Sequence, residues 1–88
     1  MSGKKPEFKS IIFSPTAKKQ FLNLDKKIQI RIKAGILKLA IVPPQGDIAK
    51  LKGREDQYRL RIGDWRIIFR QIDVIQIIAI LPRGQAYK

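Results

Sequence analysis

Residues Gln57 to Arg70, reading QYRLRIGDWRIIFR, constrain the fold more than any other stretch of the chain. Tyr58, Leu60 and Ile62 alternate with Gln57, Arg59 and Arg61, the period-two pattern of a half-buried strand. Gly63-Asp64 is the kind of two-residue loop that closes a tight hairpin. Beyond it Trp65, Ile67 and Phe69 alternate with Arg66 and Arg70. A two-residue loop pairs Ile62 with Trp65, Arg61 with Arg66, Leu60 with Ile67 and Arg59 with Ile68. Paired residues share a face of the sheet. One face is then apolar, with Tyr58, Leu60, Ile62, Trp65, Ile67 and Phe69. The other carries Arg59, Arg61, Arg66 and Arg70 and no carboxylate from the segment. Like charges directly opposite one another cost up to about 1 kcal/mol. The bland reading is a solvated basic face. The sharper one is an anion site for phosphate, whose oxygens match the guanidinium fork.

Around the hairpin the chain reads as strand, two helices, then strands. Glu7 to Phe13 is a candidate first strand. Ser14-Pro15 opens a helix, with Ser as cap and Pro in the first turn, and Ala17, Phe21 and Leu24 fall at helical spacing. Asp25 can cap a second helix from Lys26 to about Ala40. Ile28, Ile32, Ile36 and Leu39 form its apolar stripe, and Ile30, Ala34, Leu37 and Ile41 widen it. Pro43-Pro44 ends it. Ile48 to Leu51 is a short strand leading to the basic cluster Lys50, Lys52 and Arg54. Val74 to Leu81 is the most β-prone stretch, read as a central strand. With a second two-residue turn at Ile72-Asp73, Arg66 pairs with Ala79. Ile75, Ile77 and Leu81 then share the arginine face, and Arg83 projects on the same side. The expectation is one α+β domain over residues 1–88. It has two layers, an N-terminal strand and a two-helix hairpin packed on an antiparallel β-sheet, with the arginine face as a concave working surface.

Composition narrows the chemistry. Lys plus Arg number 19 against 7 Asp plus Glu, a net charge of +12 on 88 residues. Such a field attracts polyanions or an acidic protein. No apolar run approaches the roughly 20 residues of a membrane span, and MSGKKPEFKS lacks the apolar core of a signal peptide. A cytoplasmic protein without a membrane partner is expected. There is no cysteine and no histidine, which removes thiol catalysis, histidine acid–base chemistry and the usual zinc sites. No pair of carboxylates has the spacing of a magnesium or calcium loop. A metal-free site built on Lys, Arg, Tyr, Ser or a lone acid is left.

The run Lys50-Leu51-Lys52-Gly53, then Tyr58 through Phe69 (YRLRIGDWRIIF), then Arg83 and the near-terminal Tyr87, resembles the RelE/ParE toxin superfamily of toxin–antitoxin systems. Phe13-Ser14-Pro15 and Ala17 are similar to its N-terminal half, so the likeness spans nearly all of residues 8–88. It implies one of two activities. RelE-type toxins enter the ribosomal A site on the 30S subunit and cut mRNA; ParE-type toxins poison DNA gyrase without catalysis. Arg59, Arg61, Arg66, Arg83 and Tyr87 fall where the RelE type keeps its basic residues and tyrosine. Some relatives carry a glutamate or histidine instead; this chain has no histidine and has Pro82 before Arg83. The resemblance thus implies an Arg/Tyr site in a metal-free, cofactor-free endoribonuclease using the RNA 2′-OH as nucleophile. Arg61 and Arg66 would hold the scissile phosphate. Arg83 would stabilise the transition state or donate a proton. Tyr87 would stack on a base or act as the base, with its phenol lowered from about 10 by the arginines. Lys50, Lys52 and Arg59 would grip flanking phosphates or ribosomal RNA. A cognate antitoxin, through an acidic or amphipathic segment along the concave face or the helix groove, is the implied protein partner. A basic nucleic-acid-binding module without catalysis remains a further reading.

Overall fold

A computed structural model describes residues 8–84. Its order is β1 (Ile11–Phe13), α1 (Pro15–Leu22), α2 (Lys26–Leu39), β2 (Asp47–Lys50), β3 (Gln57–Ile62), β4 (Trp65–Gln71) and β5 (Ile75–Pro82). The five strands form one sheet in the order β1-β5-β4-β3-β2. From β2 to β5 it is an antiparallel meander; β1 adds in parallel to β5 and makes the sheet mixed.

Local chemistry accounts for these boundaries. Ser14 Oγ accepts from the Ala17 amide at 3.0 Å and Pro15 sits in the first turn of α1, so an amide left free by helix geometry is satisfied. Asp25 is the residue before α2, but its side chain makes no capping hydrogen bond. The β3–β4 pairing follows the period-two pattern, with Ile62 opposite Trp65, Arg61 opposite Arg66 and Leu60 opposite Ile67. At the turn Gly63 has φ +55° while Asp64 stays at negative φ. That is the backbone pattern of a type II′ turn, which asks for glycine at its first central position.

The β4–β5 register departs from the expectation. Ile72-Asp73 lacks the glycine or asparagine that a two-residue turn needs, and the loop takes three residues, with Gln71 opposite Ile75. A one-residue slip turns every side chain to the other face. Ile75 and Ile77 are therefore not on the arginine face; both are 0% exposed in the core. A bulge then restores the original parity. Phe69 faces Ile77 but Ile68 faces Ala79, leaving Ile78 as the extra residue. Arg66 consequently pairs with Leu81 rather than Ala79, two residues on, and Arg83 keeps the side expected of it. Helix α1 supports this irregular segment. Ser14 Oγ donates to the Ile78 carbonyl at 2.8 Å, and the Ile80 amide donates to Gln20 Oε1 at 2.7 Å.

The core lies between the helices and one face of the sheet. Ile32, Ile36 and Leu39 of α2 and Ala17 of α1 meet Leu60, Ile67, Phe69, Ile75, Ile77 and Ile80. Tyr58 stacks on Phe69 with ring centroids 5.6 Å apart. Three residues expected to widen the apolar stripe of α2 do not: Ile30, Ala34 and Leu37 are exposed. Among the described residues no helix is long and apolar enough to cross a membrane.

Candidate nucleic-acid interface

The face of the sheet away from the helices carries Arg59 and Arg61 on β3 and Arg66 and Arg70 on β4. Arg83 follows β5 on the same side, its amide donating to the Asp64 carbonyl at 2.6 Å. Ile68 lies among them and is only 1% exposed. Its neighbours on that face are Arg59 across the strand pair and Arg66 and Arg70 along β4; long arginine stems of this kind can shield an apolar residue.

The register of β2 supplies a carboxylate that the hairpin lacks. Asp47 stands directly opposite Arg61. Its Oδ2 is 2.7 Å from Arg61 Nε, and its Oδ1 is 3.7 Å from Arg59 Nη2. The opposed pair Arg61 and Arg66 is thus half compensated by the edge strand. Arg70 is compensated from the β2–β3 loop, where its Nε and Nη2 donate to Asp56 Oδ2 at 3.2 and 2.7 Å. The hydrogen bond from Arg70 holds the Asp56 carboxyl below the usual aspartate range. Arg83 Nη1 lies 4.0 Å from Asp64 Oδ1, both side chains widely exposed.

Two arginines of this face keep donor groups that no carboxylate satisfies. Arg66 Nη1 donates only to main-chain oxygens, those of Gly63 at 3.0 Å and Trp65 at 3.2 Å, and no carboxylate among the described residues pairs with it. Arg59 Nε is buried with no hydrogen-bond partner among the described residues, which costs free energy. The arrangement can bind an anion with several oxygens, as a phosphodiester has.

Of the residues singled out from the sequence, Arg59, Arg61, Arg66 and Arg83 share this face. Lys50 does not: it stands opposite Tyr58, and its parity puts it with the helix side of the sheet. Lys52 lies beyond the end of β2 in an exposed turn. Tyr87 lies outside the described residues. Asp47 was missed. Its signal was present in the match of Ile48 to Leu60, which fixes the β2 register and puts Asp47 against Arg61. Among the described residues no three His, Cys, Asp or Glu side chains cluster as metal ligands do.

A second surface lies on the other side of the molecule. Ile12, Phe21, Leu22 and Ile30 line adjoining grooves between β1, α1 and α2, edged by Lys18, Lys26 and Lys33. Ile12, Leu22 and Ile30 are exposed.

Comparison with known proteins gives the following. No curated protein sequence matches the chain. The chain resembles the RelE–RelB complex structure from the archaeon Pyrococcus horikoshii, at 29% identity and TM-score 0.75, over 90% of this chain and 99% of that one. It is similar to the RelB–RelE antitoxin–toxin complex of Methanococcus jannaschii, at 28% identity and TM-score 0.68, over 81% of this chain and 88% of that one. The isolated RelE toxin of E. coli, at 18% identity, shares the fold with TM-score 0.76 over 89% of this chain and 87% of that one. The model of the family described as the ParE toxin of type II toxin–antitoxin system, parDE, matches residues 11–87. With the match running from β1 to beyond β5, the chain belongs to the ParE toxin family within the RelE/ParE superfamily and is a toxin of a type II toxin–antitoxin system.

Proposed function

We propose that the arginine face is the phosphate site of a ribosome-dependent, metal-free mRNA endoribonuclease. RNA carries its own nucleophile. The 2′-oxygen attacks the adjacent phosphorus, the bond from phosphorus to the 5′-oxygen breaks, the 2′-OH proton leaves and the 5′-oxygen gains one. The protein has to align these atoms and offset the charge on the phosphorane. Arg61 and Arg66 hold the scissile phosphate, with Arg61 shared between substrate and Asp47. Arg83 stabilises the transition state or donates the proton, and Arg59 grips a flanking phosphate. Tyr87 stacks on the substrate base or takes the 2′-OH proton. Lys50 and Lys52 belong to a peripheral grip on ribosomal RNA, since neither joins the arginine face. The observation that carries this reading is Arg66, placed between Arg61 and Arg83 with no carboxylate of its own among the described residues.

The regulatory partner in this reading is a cognate antitoxin, as in the RelE–RelB complexes named above. The apolar grooves beside α1 and α2, edged by lysines, suit an acidic amphipathic segment. Toxin, ribosome and mRNA meet in the cytoplasm. A second reading is favoured by the family model, whose description is of a ParE toxin: inhibition of DNA gyrase without catalysis.

Primer extension on a defined mRNA in a translating extract separates the two, with the wild-type protein beside Arg66→Ala. Ribosome-dependent cuts at A-site codons, absent with the variant, are the expected result. Intact mRNA with gyrase supercoiling lost in a parallel assay establishes the second reading. Intact mRNA with normal gyrase leaves a basic binding module.

A further inference from the structure

Arg31 of α2 has no role in the reading above, yet its guanidinium reaches the tip of the β3–β4 hairpin. A Cβ placed on Gly63 would lie 2.9 Å from Arg31 Nη2, 3.7 Å from Cζ and 3.9 Å from Nη1. The whole head group therefore rests against the glycine, on the side where any other residue would carry its side chain. Arg66 approaches the same residue, its Nη1 donating to the Gly63 carbonyl at 3.0 Å. With both anchored to one residue, the two guanidinium nitrogens are at most about 10 Å apart. Arg83 stands over the neighbouring Asp64. Three arginines from a helix, a strand and a strand end thus converge on a two-residue loop.

Charge compensation separates this cluster from the rest of the face. Arg59 and Arg61 share Asp47 and Arg70 holds Asp56. Neither Arg31 nor Arg66 pairs with a carboxylate among the described residues. Helix α2 offers none, since Lys26–Leu39 contains no Asp or Glu. Asp64, the carboxylate of the loop itself, lies at 4.0 Å from Arg83. Two uncompensated guanidiniums at this range repel one another, and a shared or adjacent anion relieves the repulsion.

We propose that Arg31 forms a phosphate subsite with the hairpin tip, binding the backbone phosphate next to the one held by Arg66 in a single-stranded RNA. The strand runs off the arginine face, over Gly63, onto α2. The inference rests on the arginine face being a phosphate site, and it adds a direction to the bound strand. Phosphate is favoured over a carboxylate of a protein partner because the cluster continues the arginine face through Arg66 and Arg83.

The test is binding of a short single-stranded RNA oligonucleotide to the full chain by fluorescence anisotropy across a salt series. Wild type is compared with Arg31→Ala, Arg31→Lys, Lys33→Ala and Arg66→Ala. Each phosphate contact on a single strand contributes about 0.7 to the slope of log affinity against log salt. Arg31→Ala is expected to weaken binding and flatten the slope by about 0.7, Arg31→Lys to keep the slope, and Lys33→Ala, a charge lost at the apolar grooves, to change it less. An unchanged slope in Arg31→Ala beside a flattened one in Arg66→Ala overturns the subsite and leaves the arginine face intact as a phosphate site. Equal flattening by Arg31→Ala and Lys33→Ala also overturns it, because only diffuse charge is then felt. No change in Arg31→Ala or in Arg66→Ala removes the subsite together with the phosphate reading beneath it.

Discussion

Gly35, in the middle of α2, is the position where helix propensity and packing conflict. An interior helical glycine is about 1 kcal/mol worse than alanine, so Gly35→Ala would stabilise an isolated helix. Here an alanine Cβ would collide with Cδ1 of Ile62 and come within 3.1 Å of its Cγ1, with Leu60 Cδ2 at 3.8 Å. Overpacking of this kind costs about 1–3 kcal/mol. The two effects leave Gly35→Ala destabilised by about 1 kcal/mol, or about 4–8 °C in Tm for a domain of this size. Ile62→Val deletes the colliding methyl and alone costs about 0.5–1.5 kcal/mol. In the double variant the alanine methyl takes the vacated space, volume is conserved and the helix gain remains. It should match or exceed wild type, giving a coupling of about 2 kcal/mol in favour of the pair. Urea unfolding of the four proteins, with m-values required to agree, measures this. Additive single effects, or a Gly35→Ala protein more stable than wild type, would falsify the argument by showing that Ile62 swings away freely.

Three further outcomes are expected. Gln20→Ala leaves the Ile80 amide without its acceptor and should cost about 1–3 kcal/mol, with faster hydrogen exchange at Ile80 itself; unchanged exchange there would contradict the supporting role given to α1. Asp47→Asn frees Arg59 and Arg61 and should tighten binding of a single-stranded oligonucleotide with a steeper salt slope, whereas unaltered binding would mean that neither arginine reaches the ligand. Asp56 titrates lower folded than unfolded because Arg70 hydrogen-bonds it. Its stabilisation is therefore complete above the unfolded value near 3.9 and lost as pH falls through the folded one. Asp56→Asn should show a shallower loss of stability below about pH 4, and identical acid limbs in the two proteins would count against the pair.

The hairpin and both helices were legible in the sequence because each is governed by local chemistry: alternation and a glycine turn in one case, the Ser14 cap of α1 and the 3.6-residue stripe of α2 in the other. The pairing of Arg61 with Arg66 follows from that alone. The β4–β5 register was not legible. It combines a three-residue loop with a bulge at Ile78, and the backbone groups there are met by Ser14 and Gln20, more than fifty positions away. The arginine face was visible as a pattern, but its electrostatics were not, since Asp47 and Asp56 arrive from outside the hairpin. The side of the sheet that Lys50 takes was hidden for the same reason. Its place in a basic run said nothing of its side of the sheet, which only the pairing with Tyr58 decides. Arg31 gave no signal, because one cation in the lysine-rich polar face of α2 looks like its neighbours.

The parallel seam between β1 and β5 joins Ile11 to Ile75, an early strand to a late one. A chain synthesised at about 5–20 residues per second makes the second partner roughly 3–13 s after the first. Until then the core lacks Ile75, Ile77 and Ile80, β4 has an open edge, and Arg83 does not yet exist to meet Asp64. Closing so distant a pair also carries a larger loop-closure entropy than forming the hairpins does. The nascent toxin is thus unarmed while most of it is being made, and the interval gives a binding partner already present in the cell the first opportunity to meet it.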